Sequence, residues 1–184
     1  VLTVEEEFGS LQGRTLAYVG DGRNNVANST MVGCAKLGMN CRVVSPEELH
    51  PDADLVAAVH EIASSTGGTL TVTSSVDEGV ADADAIYADV WASMGEEDMI
   101  ADRIRILSPY KITEGMMAAT GKAETIFLHC LPAFHNLETE VAQKYPEIQE
   151  VEDAVFEGPR SRVFDQAENR LHTIKAVMVA TLGR

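Results

Sequence analysis

Basic residues are scarce in this chain. Fourteen lysines and arginines face 29 aspartates and glutamates, a formal net charge of −15, and only five of the fourteen are lysines. A phosphate backbone is gripped by basic patches, so nucleic acid is excluded as an expected partner. The simplest reading of an acidic, lysine-poor surface is solubility; a salty habitat is the other reading. Cysteine is also sparse. Cys34, Cys41 and Cys130 are odd in number and lack metal-ligand spacing, which predicts a reducing, cytoplasmic setting and neither a disulfide framework nor a metal site. The apolar runs are too short to span a bilayer, and no signal or transit segment is expected. No internal repeat, low-complexity tract or linker divides the chain. It begins with Val1 instead of Met, which predicts a fragment or a trimmed chain.

What is present is alternation. Thr15 to Gly20, Cys41 to Val44, Thr69 to Thr73, Ala85 to Val90 and Ile126 to Leu131 read as strands. Between them lie helical patterns: Asn25 to Leu37, Asp52 to Ser65, Ser75 to Ala83, Glu96 to Ile106 and Thr113 to Ala119. Glu138 to Lys144 reads as a further helix. The longest begins at Val163, with Phe164, Ala167, Leu171, Ile174, Val177, Met178 and Leu182 on one face. Strands and helices in this order predict one α/β domain over residues 1–184. It is doubly wound and Rossmann-like, with a mostly parallel five-stranded sheet flanked by helices.

Ligands of such folds bind at the carboxyl edge of the sheet, so strand ends deserve the closest reading. Gly20-Asp21-Gly22-Arg23-Asn24-Asn25 begins like a dinucleotide fingerprint, but its sixth position is Asn25. The second strand ends in Ser45-Pro46 where an acidic ribose partner belongs, so a nucleotide is disfavoured. Asn24 or Asn25 either caps the helix or presents its N-terminus to an anion. Asp89 stands at the end of an apolar strand; it either points to water or binds an ammonium group. Ser93, Met94 and Gly95 follow in a small-residue loop. Pro132 stops the fifth strand just after His129 and Cys130. Cys130 is either a buried small hydrophobe or a site thiol, with His129 on the opposite face if the strand is regular. No Cys-His-Asn pattern supports a thiol nucleophile. Arg170, between Glu168 and His172, reads locally as part of a solvated helix face.

Four blocks occur in order: Tyr18-Val19-Gly20-Asp21-Gly22-Arg23-Asn24-Asn25, Asp89-Val90-Trp91-Ala92-Ser93-Met94-Gly95-Glu96, Phe127-Leu128-His129-Cys130-Leu131-Pro132, and Val163 to Ala176. Together they resemble the second, ornithine-binding half of ornithine carbamoyltransferases, over nearly the whole chain. The resemblance implies that Asn25 and Asp89 hold the α-amino and α-carboxylate end of ornithine, with Ser93 and Met94 in a loop closing over it. It implies that Cys130 lies near the reactive δ-amine, Leu131 offers a backbone contact to the carbamoyl group, and Arg170 reaches carbamoyl phosphate. His129 is implied only as a supporting residue. The catalytic pair would be Asp89 and Cys130, with either assisting loss of the amine proton. No metal or organic cofactor is implied.

The family's Ser-Thr-Arg-Thr-Arg and His-Pro-x-Gln blocks, which serve carbamoyl phosphate in an earlier domain, do not occur here. The expectation is therefore half a site, inactive alone, from an enzyme that is a homotrimer when whole. The final helix is expected to expose part of its apolar face, which in the family packs towards the missing domain. The alternatives are a carbamoyltransferase for putrescine or N-acetylornithine, a non-catalytic amino-acid-binding module, and a nucleotide-binding dehydrogenase domain.

Overall fold

β-Branched and small apolar residues at Thr15–Val19 (β1), Asn40–Val44 (β2), Thr69–Thr73 (β3), Ala85–Ala88 (β4) and Ile126–His129 (β5) form one sheet. The computed structural model describes residues 1–92, 95 and 97–183, with the Glu97 side chain excepted. Ser93 and Met94, both assigned a part in substrate closure, lie outside the described residues. All strand pairs are parallel, in the order β3-β2-β1-β4-β5. This is the doubly wound arrangement the alternation predicts. The chain turns outward in both directions from β1, so the switch point lies between β1 and β4.

The central strands of a parallel sheet bury both faces, and β1 is buried along its whole length, while the edge strand β3 stays partly exposed. On one face Leu16, Tyr18, Val43 and Leu128 pack against Ala27, Met31 and Cys34 of α2 (Asn25–Lys36) and Val59 of α3 (Ala53–Thr66). On the other, Ala17, Ile86 and Phe127 meet Val80 of α4 (Val76–Val80), Met117 of α6 (Glu114–Ala119), and Val155 and Phe156 of α8 (Asp153–Phe156). Caps set several helix starts. Asn24 accepts from Val26 N–H, Asp52 from Asp54 and Leu55 N–H, and Thr113 from Met116 N–H.

The amino edge of the sheet is closed by charge. Asp84, nearly buried, accepts from Thr15 N–H at 2.8 Å and pairs with Lys122 at 2.9 Å and Arg14 at 3.1 Å. Burial alone pushes the Asp84 carboxyl up, but the three donors together outweigh it and hold it below its ordinary value.

Two helices the sequence patterns do not mark are α1 (Leu2–Phe8) and α8. Several expected elements are shorter: β4 stops at Ala88, β5 at His129, α5 covers Ile100–Leu107 and α7 covers Glu140–Lys144. Each strand ends before the residue that carries chemistry, so Asp89 and Cys130 lie in the turns just beyond the sheet.

The final helix, α9 (Val163–Leu182), is joined to the domain mostly by polar contacts. Arg162 at its start grips Glu7 of α1 with two bonds of 2.8 and 2.9 Å. Asn169 donates to Thr3 Oγ1 at 3.1 Å and to Glu6 Oε2 at 2.5 Å. Only Val163 and Asn169 of the helix are buried.

Candidate active site

The carboxyl ends of β1, β4 and β5 converge where a ligand of this fold should sit. After β1, Asp21 Oδ1 accepts from Arg23 N–H at 2.9 Å, and its Oδ2 forms a 2.6 Å ion pair with Arg103 of α5. Gly22 is a glycine for an intrachain reason. A Cβ there would lie 2.8 Å from the Leu49 carbonyl and 2.9 Å from Pro51 Cδ. Its N–H donates to Ser45 Oγ at 3.2 Å. The segment after β2 thus packs directly against this glycine turn. Asn24, not Asn25, is the helix cap; Asn25 is the exposed first residue of α2.

After β4, Asp89 does not point to water. It is 5% exposed, and Oδ1 accepts both Val90 N–H at 2.8 Å and the Cys130 thiol at 2.6 Å. Cys130 is half-buried. Burial, then the Asp89 charge, then the bond to Asp89 all push its thiol far above the ordinary range. The thiol stays protonated at any physiological pH, so this cysteine is a hydrogen-bond donor and not a nucleophile.

After β5, the turn is built on a pair whose second member sequence reasoning missed. His129 is buried on the face opposite Cys130, as strand alternation predicts. Its Nδ1 accepts from Leu131 N–H at 2.9 Å, while Nε2 stands 3.2 Å from Glu150 Oε1. That approach is close enough for an ion pair but lacks the alignment of a hydrogen bond. Glu150 Oε1 also takes the Phe134 N–H at 2.6 Å. Burial raises the Glu150 carboxyl above its ordinary value, with His129 and the Phe134 N–H opposing. Leu131 adopts φ 52° and precedes a cis Pro132. A leucine in the left-handed region costs on the order of 1 kcal/mol or more. The bond to His129 helps hold it there. Nothing in the Glu150 segment signals this role, because its partner lies twenty-one residues earlier and the link is purely spatial.

Cys130 opens onto a cleft of about 340 Å³ between the ends of β4 and β5 and α9. Tyr87, Gln166, Arg170, Val26 and Thr3 also line it. Arg170, on an exposed stretch of α9, therefore looks into the same space as Cys130. Leu131 follows directly; Asp89 lies behind the thiol. The structure thus gathers Asp89, Cys130 and Leu131 with Arg170 nearby, and leaves Asn25 exposed at the start of α2, beside Val26, which lines the cleft. Among the described residues, no group of three or more His, Cys, Asp or Glu side chains is placed to hold a metal ion, and no helix is long and apolar enough to cross a membrane.

Residues 12–181 match the family model of the aspartate/ornithine carbamoyltransferase Asp/Orn-binding domain. The chain belongs to this carbamoyltransferase family. Among curated relatives, the phaseolotoxin-insensitive ornithine carbamoyltransferase 2 of Pseudomonas syringae pv. actinidiae is 56% identical over 182 residues, 99% of this chain and 56% of that protein. The catabolic ornithine carbamoyltransferase of Bacillus licheniformis is 52% identical over 187 residues, again 99% of this chain and 56% of its own length. The chain therefore spans little more than half the length of the relatives it matches. Among solved structures, the ornithine carbamoyltransferase of Gloeobacter violaceus superposes with a TM-score of 0.84 at 41% identity, over 99% of this chain and 56% of that one. That of Pyrococcus furiosus gives 0.85 at 38% identity, over 97% and 52%. The fold and family that the four sequence blocks imply are thus found for this chain.

Proposed function

We propose that this chain is the ornithine-binding half of an ornithine carbamoyltransferase, and that segments outside these 184 residues complete its phosphate site. The observation that carries the reading is Cys130, bonded to Asp89 at the strand ends and lining a cleft shared with Arg170. It occurs in a chain that matches proteins named ornithine carbamoyltransferase over nearly its full length. In this reading the δ-amine of ornithine attacks the carbonyl carbon of carbamoyl phosphate. A C–N bond forms, a tetrahedral oxyanion follows, the C–O bond to phosphate breaks, and citrulline and phosphate leave. An alkylamine with a pKa near that of lysine, about 10.4, must first shed a proton.

The geometry favours Asp89 over Cys130 as the group that draws that proton away. The thiol is held protonated beside the carboxylate, so it offers a donor and the carboxylate offers the charge. Asp89 and Asn25 hold the α-amino and α-carboxylate end, with Ser93 and Met94 in the closing loop. Leu131 supplies a backbone contact to the carbamoyl group, where stabilising the oxyanion lowers the barrier most. Arg170 reaches the phosphate. The whole enzyme is a trimer of longer chains, and the exposed face of α9 packs on the part outside these residues.

Two measurements test this. Calorimetry of the purified chain is expected to show weak binding of L-ornithine and weaker or no binding of putrescine, N-acetylornithine and L-aspartate. A preference for any of those three overturns the substrate assignment. A citrulline assay with ornithine and carbamoyl phosphate is expected to show no turnover by the chain alone; measurable citrulline overturns the half-site reading.

A further inference from the structure

β5 is an edge strand, so one row of its backbone groups faces away from β4. Ile126 N–H donates inward, to the Asp84 carbonyl at 3.0 Å. Phe127, next along, points the other way. Its N–H donates to the Arg160 carbonyl and its own carbonyl accepts from Arg162 N–H, both at 2.9 Å, so residues 160–162 add two rungs to the free edge. The next outward N–H belongs to His129, two residues on. By then the neighbouring chain has turned into α9, whose carbonyls bond along the helix. The side chain of Gln166 takes the vacated rung: its Oε1 accepts the His129 N–H at 3.1 Å.

That bond joins the residue before Cys130 to the face of α9 that walls the cleft. Gln166, Asn169, Arg170 and Thr173 all line the cleft, at the i, i+3, i+4, i+7 spacing of one helix face. Arg170 stands one turn beyond Gln166, about 6 Å along the axis. Arg162 and Asn169 tie α9 to α1. Gln166 ties the same helix to the strand end that carries Cys130. We propose that Gln166 is a positioning residue: by closing the free edge of β5 with its amide oxygen, it sets Arg170 over the cleft beside Cys130, and so sets the affinity of that arginine for an anion. A backbone N–H only donates, so the oxygen of Gln166 must face the strand. The inference rests on the proposed carbamoyltransfer for the role of Arg170, and on the geometry alone for the tie between helix and strand.

The test is a double-mutant cycle on the purified chain, read by NMR titration with inorganic phosphate: wild type, Gln166→Met, Arg170→Gln and the double variant. Methionine is close to glutamine in length and helix propensity but offers no oxygen. In the wild type, phosphate is expected to move resonances of Arg170 and Cys130. Gln166→Met is expected to weaken phosphate about three- to ten-fold, the range of one hydrogen bond, and to add nothing once Arg170 is replaced. Losses that add in the double variant overturn the proposal, because Gln166 then touches the anion itself. A lower melting temperature with unchanged phosphate affinity overturns it too, by making the tie merely structural. Residual dipolar couplings on the same samples report the angle between α9 and the sheet, which is expected to change in Gln166→Met. An unchanged angle overturns the positioning whatever phosphate does. A wild type that ignores phosphate at tens of millimolar counts against the role of Arg170 in the proposed function, and the angle still decides the role of Gln166.

Discussion

Asp89 and Cys130 share one hydrogen atom, and much of the site's chemistry follows from that bond. A carboxylate 2.6 Å from a half-buried thiol penalises the thiolate twice, by repulsion and by loss of the donor. Replacing Asp89 with Asn removes the charge and leaves the burial, so the thiol should fall towards its ordinary range without reaching it. Each pKa unit of that fall raises the thiolate fraction about ten-fold at a fixed pH below the pKa. Cys130 in the wild type is therefore expected to react slowly with iodoacetamide at pH 8, while Asp89→Asn reacts about ten-fold faster or more. Cys34 and Cys41 are buried and should stay silent in both. Equal rates for the two proteins, followed by mass spectrometry of the Cys130 peptide, would show that the carboxylate does not control the thiol. At this scale the sequence was informative about residues that end a strand. Asp89 after an apolar run and Cys130 before Pro132 are visible as violations of strand patterning. Glu150, Arg103 and Gln166 break no local pattern and meet their partners only in three dimensions.

The elements show the same division. Strands buried on both faces, such as β1 and β5, read as apolar runs, whereas the partly exposed edge strand β3 was legible from its β-branched residues. The two missed helices are short. Helix α1 has seven residues and buries only Thr3 and Val4, and α8 has four. Neither is long enough to display a helical period. The amino edge of the sheet was also invisible, because Asp84 precedes a strand and looks like any loop acid. Its three donors make it a strong structural test. Breaking such a buried cluster costs about 3–5 kcal/mol when the partners are stranded. Arg14 and Lys122 are each about a third exposed, and solvent should reduce that to about 2 kcal/mol. Asp84→Asn should lower unfolding stability in urea at pH 7 by about this amount. The sign of the pH dependence is fixed. The folded carboxyl lies below its unfolded value, so its contribution is present above pH ~4 and is lost as acid protonates it in the folded state. The gap between wild type and variant should therefore narrow as pH falls below 4. A gap that is constant with pH would mean that Asp84 acts by packing and not by charge.

For the whole molecule, α9 is the element whose sequence and surroundings disagree. Its apolar face is well formed, yet Leu171 is 66% exposed, Val177 61% and Leu182 75%. A helix that buries almost nothing owes little stability to tertiary packing, and twenty residues at 1.5 Å per residue carry its end some 30 Å from its start. The domain holds it near its beginning, through Arg162, Val163, Phe164, Gln166 and Asn169. An unpartnered apolar stripe of this size marks an interaction surface, in keeping with the proposal that it packs on polypeptide outside these residues. The chain's own stability should then be indifferent to most of the helix. Ending the chain after Thr173 keeps every polar anchor and removes Ile174, Val177, Met178 and Leu182. Surface changes of this kind usually stay within about 0.5 kcal/mol, which for a domain of this size is under about 2 °C in Tm. Thermal melts at several protein concentrations provide the measurement. An unchanged Tm supports an idle face waiting for a partner. A drop of more than about 4 °C that grows with concentration would instead show the face already covered, by another copy of the chain.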